Sequence, residues 1–144
     1  MKNAPRIIFG LVTVLALSSL PACSGAPKSD LHMMPLSQFP AEVQSAPVDV
    51  REAYQFAAAN PDVMRAIPCY CGCVNIGHKS NYDCYVLSAY PTGGVVIDPH
   101  ALNCQVCIDI TQDATRLLRE GRTAPEIKAY VDSVYSKLGN STMP

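Results

Sequence analysis

The sequence predicts a small, mostly α-helical domain with a cysteine-rich loop and a short β-hairpin. Apolar residues recur at spacings of three and four in segments that open with helix-capping residues, as they do along one face of a helix. Three cysteines alternate with other residues in Pro68-Cys69-Tyr70-Cys71-Gly72-Cys73, a pattern that suits a tightly turning loop. The chain has 144 residues, 49% of them hydrophobic, which is enough for one modest core.

The first 22 residues read as an export signal. Lys2 and Arg6 precede an apolar run from Ile7 to Leu17, which is too short to span a bilayer. The following Leu20-Pro21-Ala22-Cys23 resembles the lipobox of bacterial lipoproteins, although an ordinary signal peptide cut nearby is the alternative. We therefore expect an extracytoplasmic protein that lipidated Cys23 anchors to a bacterial membrane.

The charge pattern excludes one class of partner. The formal net charge is −1, and the loss of Lys2 and Arg6 with the signal lowers it to −3. No basic run is present that could follow a phosphate backbone. We expect no nucleic-acid binding.

Residues 23–47 read as a tether, because prolines interrupt any long helix there. A short helical turn from Pro40 to Ser45 is compatible with the sequence. His32-Met33-Met34 lies in this tether and reads as solvated linker, with a soft-metal arm as the alternative. The domain itself is assigned to residues 48–139, followed by a tail of residues 140–144.

Two helices lead into the cysteine-rich loop. Asp49 and Glu52 have the spacing of a capping box and predict a helix to about Ala59. Asn60 caps a second, shorter helix, which ends before Pro68. Met64 in that helix reads as core, with a thioether ligand as the alternative.

Beyond the loop, the residues 84–87 and 95–97 are β-prone and flank a turn, which predicts a small hairpin. Asp98 and Pro99 predict the start of a helix that runs to about Glu120. One face of this helix is expected to carry possible metal ligands in its N-terminal half and mainly apolar residues in the rest. In order, the residues of this face are His100, Cys104, Cys107, Ile108, Thr111, Ala114 and Leu118.

The last helix opens with a capping box formed by Thr123 and Glu126. Its buried stripe is expected to hold the apolar residues at helical spacing, namely Ile127, Tyr130, Val131, Val134 and Leu138. Gly139 ends it.

Six cysteines remain once Cys23 is assigned to lipidation, and they suit one soft-metal site. Thiolates from a folded loop and from one helix face can converge on a metal ion, and sulfur-rich sites select Cu(I), Zn(II) or iron–sulfur clusters. Six sulfurs exceed the four ligands of one tetrahedral zinc. A dinuclear thiolate cluster, or four ligands plus one disulfide, would use them all. The candidate ligands are Cys69, Cys71, Cys73, Cys84, Cys104 and Cys107, with His78 and His100.

Two other interpretations use the same cysteines. An even number of cysteines in an exported protein is typical of a disulfide-stapled module, here with three bridges. Cys104-x-x-Cys107 also has the spacing of a thiol–disulfide couple. On the predicted helix, however, Cys104 lies beyond the first turn, where the helix dipole does not act, so we rank a redox role lowest.

The hexapeptide from Pro68 to Cys73 spells PCYCGC, and the chain resembles the PCYCGC-motif lipoproteins of bacteria. The resemblance also covers His78, Cys84 and the segment from Asp98 to Cys107. It implies an exported, anchored, cysteine-rich domain and supplies no enzyme activity. We expect a metal-sequestering or metal-delivering lipoprotein with a metal-donor or metal-acceptor protein as its partner. The sequence contains no G-x-S-x-G, no H-E-x-x-H and no phosphate-binding glycine loop, so it gives no support for an enzyme.

Overall fold

The computed structural model describes residues 31–144, so the predicted signal peptide and Cys23 lie outside the described residues. This part of the chain is mostly helical, as the sequence predicts. Its five α-helices are α1 (Ala41–Gln44), α2 (Val48–Ala59), α3 (Pro61–Arg65), α4 (Gln105–Arg119) and α5 (Ala124–Tyr135). None of the helices within residues 31–144 is both long and apolar enough to cross a bilayer.

Helix α4 lies at the centre of the fold and packs against both α2 and α5. The predicted face of α4 is buried through Ile108, Thr111 and Ala114. Ile110 and Leu117 are buried as well, because α4 has neighbours on two sides and needs apolar residues on both. The core is therefore wider around α4 than the single predicted stripe.

Helix α2 begins one residue earlier than predicted and without the expected cap. Pro47 is the N-cap residue, and Asp49 lies inside the first turn. A carboxylate in the first turn still interacts favourably with the helix dipole. The predicted capping box at Asp49 is therefore wrong, whereas the predicted helix to about Ala59 is present.

Residues 31–47 are folded against the domain, although their sequence reads as a tether. Phe39 and Val43 are buried, and Val43 belongs to α1, which confirms the helical turn in this segment. The backbone N–H of Met34 donates to the Gln55 carbonyl at 3.0 Å. Two buried apolar side chains and a backbone hydrogen bond to α2 thus hold this segment against the domain. Its prolines indicate a linker, so the sequence does not predict this packing.

The predicted hairpin is present. Strand β1 (Val86–Ala89) pairs with strand β2 (Val95–Ile97) in an antiparallel ladder with an irregularity between Val86 and Ser88. Cys84 lies before the strand, in the 3-10 turn Tyr82–Cys84. The hairpin of β1 and β2 is the only sheet in residues 31–144.

Helix α4 does not begin at Pro99. A 3-10 turn covers His100–Asn103, Cys104 adopts an extended conformation as the N-cap residue, and α4 starts at Gln105. The Asp98 carboxylate accepts the backbone N–H of His100 at 2.7 Å, so it caps the 3-10 turn and not the α-helix. The extended backbone at Cys104 is the physical reason for the break.

Helix α5 has the predicted capping box, in which the Thr123 backbone N–H donates to the Glu126 carboxylate at 2.8 Å. Ile127 and Val131 are fully buried. Leu138, in contrast, is 54% exposed, because the helix ends at Tyr135 and the chain turns away. The buried stripe of α5 is therefore shorter than predicted.

Candidate metal centre

The PCYCGC loop, residues 68–73, enters the core directly after the short helix α3. Cys69 and Cys73 are buried, and Cys71 between them is half-buried. Gly72 has φ +89°, a left-handed conformation that lets the chain reverse before the 3-10 turn Cys73–Ile76. The tight turn that the sequence predicts is present, and the reversal brings all three side chains to the same region.

Sulfur atoms from distant parts of the chain meet there. Cys69 Sγ lies 3.4 Å from Cys71 Sγ and 3.6 Å from Cys107 Sγ, and Cys71 and Cys107 are also 3.6 Å apart. Cys73 Sγ lies 3.5 Å from Cys84 Sγ. All six cysteines of residues 31–144 are free thiols. The loop and helix α4 thus bring their thiols together, as the sequence predicts.

Two histidines flank the sulfurs. His100 Nε2 lies 3.3 Å from Cys71 Sγ, and His78 Nδ1 lies 3.4 Å from Cys84 Sγ. The two rings contact edge to face with centroids 5.3 Å apart. Both histidines that the sequence singles out therefore border the thiol cluster.

Asp98 connects the histidines to the core. Its Oδ2 lies 3.3 Å from His78 Nε2, and its Oδ1 accepts the His100 backbone N–H. Because a carboxylate only accepts, His78 Nε2 carries the proton that points at it, which fixes the orientation of the ring. Asp98 is itself buried, and its carbonyl accepts a hydrogen bond from the Tyr54 hydroxyl at 2.7 Å. This carboxylate–histidine arrangement is the kind that orients the side chains of metal sites.

The geometry contains two groups of four side chains whose donor atoms all lie within 4.8 Å of one another. The first group comprises Cys69, Cys71, Cys73 and Cys84, and the second comprises Cys71, Cys84, His100 and Cys107. Thiolate and imidazole donors suit soft or borderline ions, so this cluster could hold a metal ion. His78 and Cys104 are in neither group: His78 faces Cys84 from outside, and Cys104 interacts with the thiols of Cys107 and Cys71.

The position of Cys104 differs from the one that the sequence analysis used against a redox role. Cys104 is the N-cap residue of α4, and Cys107 lies in its first turn. The helix dipole favours a thiolate at this end of a helix. The predicted distance of Cys104 from the helix start is therefore wrong, and it no longer argues against thiol–disulfide chemistry.

The thiols influence one another's protonation. Hydrogen bonds from neighbouring thiols lower the pKa of Cys69 to about 4, and the largest effect comes from Cys107. The pKa of Cys71 is also lowered, chiefly by Cys104 and Cys107. The pKa of Cys84 is raised, with Cys107 as the largest cause. The thiols thus differ in how readily they lose their protons, and a metal ion that binds thiolates would release the protons that remain.

A buried network of polar side chains holds the backbone at Cys107, next to the thiol cluster. The Tyr85 hydroxyl donates to the Cys107 carbonyl at 2.8 Å, and Thr111 Oγ1 donates to the Tyr85 hydroxyl at 2.7 Å. Asn81 Nδ2 donates to Thr111 Oγ1 at 2.8 Å, while Asn81 Oδ1 is buried without a partner. Sequence reasoning missed this network, because Tyr85 and Asn81 lie in segments that read as strand and loop.

The C-terminal residues hold the other side of the PCYCGC loop. The Cys69 backbone N–H donates to Thr142 Oγ1 at 2.8 Å, and the Thr142 N–H donates to the Cys69 carbonyl at 3.1 Å. The Tyr70 hydroxyl donates to Asp132 on α5 at 2.7 Å. At Gly139 a Cβ atom would lie 2.7 Å from the Tyr70 carbonyl oxygen, so only glycine permits this approach without a shift. The segment predicted as a tail is thus a clamp on the loop.

Residues 22–143 match the family described as protein of unknown function with PCYCGC motif. Because the match covers most of the chain, the chain belongs to this family, which confirms the resemblance noted from the hexapeptide. Neither a curated protein nor a solved structure is significantly similar to the chain.

Proposed function

We propose that this member of the PCYCGC family is an exported, membrane-anchored lipoprotein that binds a soft metal ion, Cu(I) or Zn(II), for sequestration or delivery. The observation that carries the proposal is the convergence of five thiols and one imidazole in two groups of donors within 4.8 Å. These donors come from the PCYCGC loop, the turn at Cys84, the turn at His100 and helix α4. A metal ion would tie these four segments together.

The donor chemistry favours a soft ion over a hard one. Magnesium and calcium take oxygen ligands, and the carboxylate nearest the cluster, Asp98, contacts His78 and the His100 backbone. Sulfur and imidazole suit Cu(I) and Zn(II). Asp98 also orients His78 against the sulfur of Cys84, as carboxylates commonly do for the histidines around metal sites.

Partial exposure on one side supports delivery to another protein. Cys71 and Cys104 are half-buried, whereas Cys69, Cys84 and Cys107 are fully buried. A ligand at the rim can exchange with a thiol of a donor or acceptor protein while the buried sulfurs retain the ion. We therefore place the exchange of metal at Cys71, the half-buried cysteine that belongs to both groups of donors.

Native mass spectrometry of the purified full chain tests metal binding directly. The reduced chain is titrated without oxygen, once with Zn(II) and once with Cu(I). We expect bound metal in the unmodified chain and at least a tenfold loss of affinity in Cys71→Ser. Cys23→Ser is the control, because it replaces a cysteine outside the cluster and is expected to leave binding unchanged. A reduced chain that binds neither ion would overturn the proposal.

Anchoring by Cys23 is supported by the sequence alone, through its basic start, its apolar run and its lipobox-like ending. In a bacterial expression host, the unmodified chain is expected to partition into detergent after phase separation. Cys23→Ser is expected to remain uncleaved or to enter the aqueous phase, while Cys71→Ser partitions like the unmodified chain. A Cys23 variant that is cleaved and still partitions like the unmodified chain would contradict anchoring.

A thiol–disulfide protein is the second candidate, favoured by the position of Cys104-x-x-Cys107 at the start of α4. Mass spectra of the chain as isolated, before any reduction, separate the candidates. A protein isolated with one reversible disulfide between these two cysteines and no metal supports the redox function. Three disulfides that persist without metal support a stapled structural module. Six reduced thiols with metal support the metal function.

A further inference from the structure

The two groups of donor atoms overlap in a specific way. Cys71 and Cys84 belong to both groups, whereas Cys73 belongs only to the first and His100 only to the second. Thiolates can bridge two metal ions, and imidazoles of this kind are terminal ligands. The overlap therefore has the form expected of a centre for two ions that share two sulfurs.

We propose that the site is dinuclear, with the sulfurs of Cys71 and Cys84 bridging two soft metal ions. Cys69 and Cys73 complete the ligands of one ion, and His100 and Cys107 complete those of the other. This inference rests on the proposed metal-binding function and adds its stoichiometry and its assignment of ligands. The ions are of the thiophilic class to which Cu(I) and Zn(II) belong.

A mononuclear arrangement is the main competitor. Cys69, Cys71, Cys84 and Cys107 also lie close to one another, since every pair among them falls within one of the two groups or within a 3.6 Å contact. A single tetrahedral ion would use these four sulfurs. In this mononuclear arrangement, Cys73 and His100 would bind no metal.

Burial favours the dinuclear arrangement. Cys73 is 2% exposed, and its sulfur lies 3.5 Å from that of Cys84. The donor atom of Cys73 therefore lies inside the site, within 4.8 Å of those of Cys69, Cys71 and Cys84. With a second ion, Cys73 becomes a ligand, and each added cation offsets thiolate charge in the buried site. His100 Nε2, 3.3 Å from the sulfur of Cys71, is then used as well.

The test counts ions per chain in variants that separate the two arrangements. The reduced full chain is titrated anaerobically with Zn(II), and separately with Cu(I), and its stoichiometry is read by native mass spectrometry. We expect two ions in the unmodified chain and one ion in each of Cys73→Ser and His100→Gln. Cys71→Ser removes a bridge and is expected to hold at most one ion. X-ray absorption of the loaded chain is expected to show a metal–metal vector that the two single-ion variants lack.

Matched controls make the count interpretable. Cys23→Ser and His32→Gln change the same residue types outside the cluster and are expected to keep two ions. Far-UV circular dichroism checks that each variant is folded, and the stoichiometry of the unmodified chain decides the question even where a variant is not. One ion in the unmodified chain, or two ions in both Cys73→Ser and His100→Gln, would overturn the dinuclear site. Either result leaves metal binding itself intact, whereas a chain without metal overturns the proposed function.

Discussion

The helical body, formed by α2, α4 and α5, and the cysteine end, residues 68–104, are held in place by different interactions. In the helical body, apolar side chains such as Ile110, Ile127 and Val131 are completely buried between helices. In the cysteine end, the chain forms short 3-10 turns and a small hairpin. Besides the buried side chains of Tyr85 and Ala101, its order depends on individual hydrogen bonds such as those of Asp98 and Thr142.

This difference shows where a bound ion can influence the molecule. Apolar burial is non-directional and requires no ligand. Thiols within 3.6 Å of one another, in contrast, repel once they are deprotonated, unless a cation lies between them. We therefore expect the helical body to fold by itself and the cysteine end to become rigid when metal binds. The predictions below test this division, beginning with the largest effect.

Val131→Asp breaks the helical body. Val131 is fully buried on α5, so the substitution places an unpaired charge in the core and costs several kcal/mol. A domain of this size has a total stability of about 5 to 15 kcal/mol, and we expect the variant to lose most of its cooperative unfolding transition. Far-UV circular dichroism during heating measures this loss.

Ala129→Asp is the control for that experiment, because Ala129 is exposed on the same helix. It introduces the same charge into water and is expected to leave the melting temperature nearly unchanged. Equal melting temperatures for Val131→Asp and the unmodified chain would show that the α5 stripe does not form the core.

The helical body could be predicted from the sequence because its signals are local and periodic. The capping box at Thr123 and the apolar spacing that includes Val131 each lie within a few turns of one helix. Where the helix ends before its apolar spacing does, the prediction is wrong. Leu138 continues the apolar spacing, but the helix has already ended at Tyr135, so its side chain is exposed.

The convergence of the cysteine end could be predicted, but its geometry could not. Clustered thiols are an unusual composition, and they indicate one site whatever the fold. The start of α4 depends on the extended backbone at Cys104, and the loop depends on Thr142, which lies more than 70 residues later in the chain. Such long-range hydrogen bonds leave no periodic pattern in the sequence.

Thr111→Val tests the polar network that joins the two regions. Thr111 Oγ1 receives a hydrogen bond from Asn81 and donates to Tyr85, whose hydroxyl supports the Cys107 carbonyl. Valine has nearly the same shape, so the substitution removes these bonds and leaves the buried Asn81 amide unpaired. We expect a loss of about 1 to 3 kcal/mol in the free energy of unfolding, measured by urea denaturation.

Thr115→Val controls for the loss of a helical threonine, because the Thr115 hydroxyl only donates to the carbonyl one turn earlier. We expect it to change stability by less than about 0.5 kcal/mol, as other peripheral substitutions do. Similar losses in the two variants would indicate that the network adds nothing beyond a threonine side chain.

Thr142→Val produces the smallest effect and tests the C-terminal clamp on the PCYCGC loop. The substitution removes the acceptor of the Cys69 N–H, while the Thr142 N–H can still donate to the Cys69 carbonyl. One lost hydrogen bond corresponds to about 1 kcal/mol, and it falls on the loop and not on the helices. We therefore expect faster amide hydrogen exchange in the peptide that contains Cys69 and unchanged exchange in α5. Hydrogen–deuterium exchange followed by mass spectrometry measures both.

Thr142→Ser is the matched control, since it retains the hydroxyl that accepts the Cys69 N–H and is expected to exchange like the unmodified chain. Metal sharpens the comparison between the two regions. When Zn(II) is bound, the sulfurs of the loop are fixed by the ion as well as by the clamp, so the difference between Thr142→Val and Thr142→Ser is expected to shrink. A difference that spreads into α5 would show that the cysteine end and the helical body are one cooperative unit. A difference that Zn(II) leaves unchanged would contradict the expectation that metal makes the cysteine end rigid.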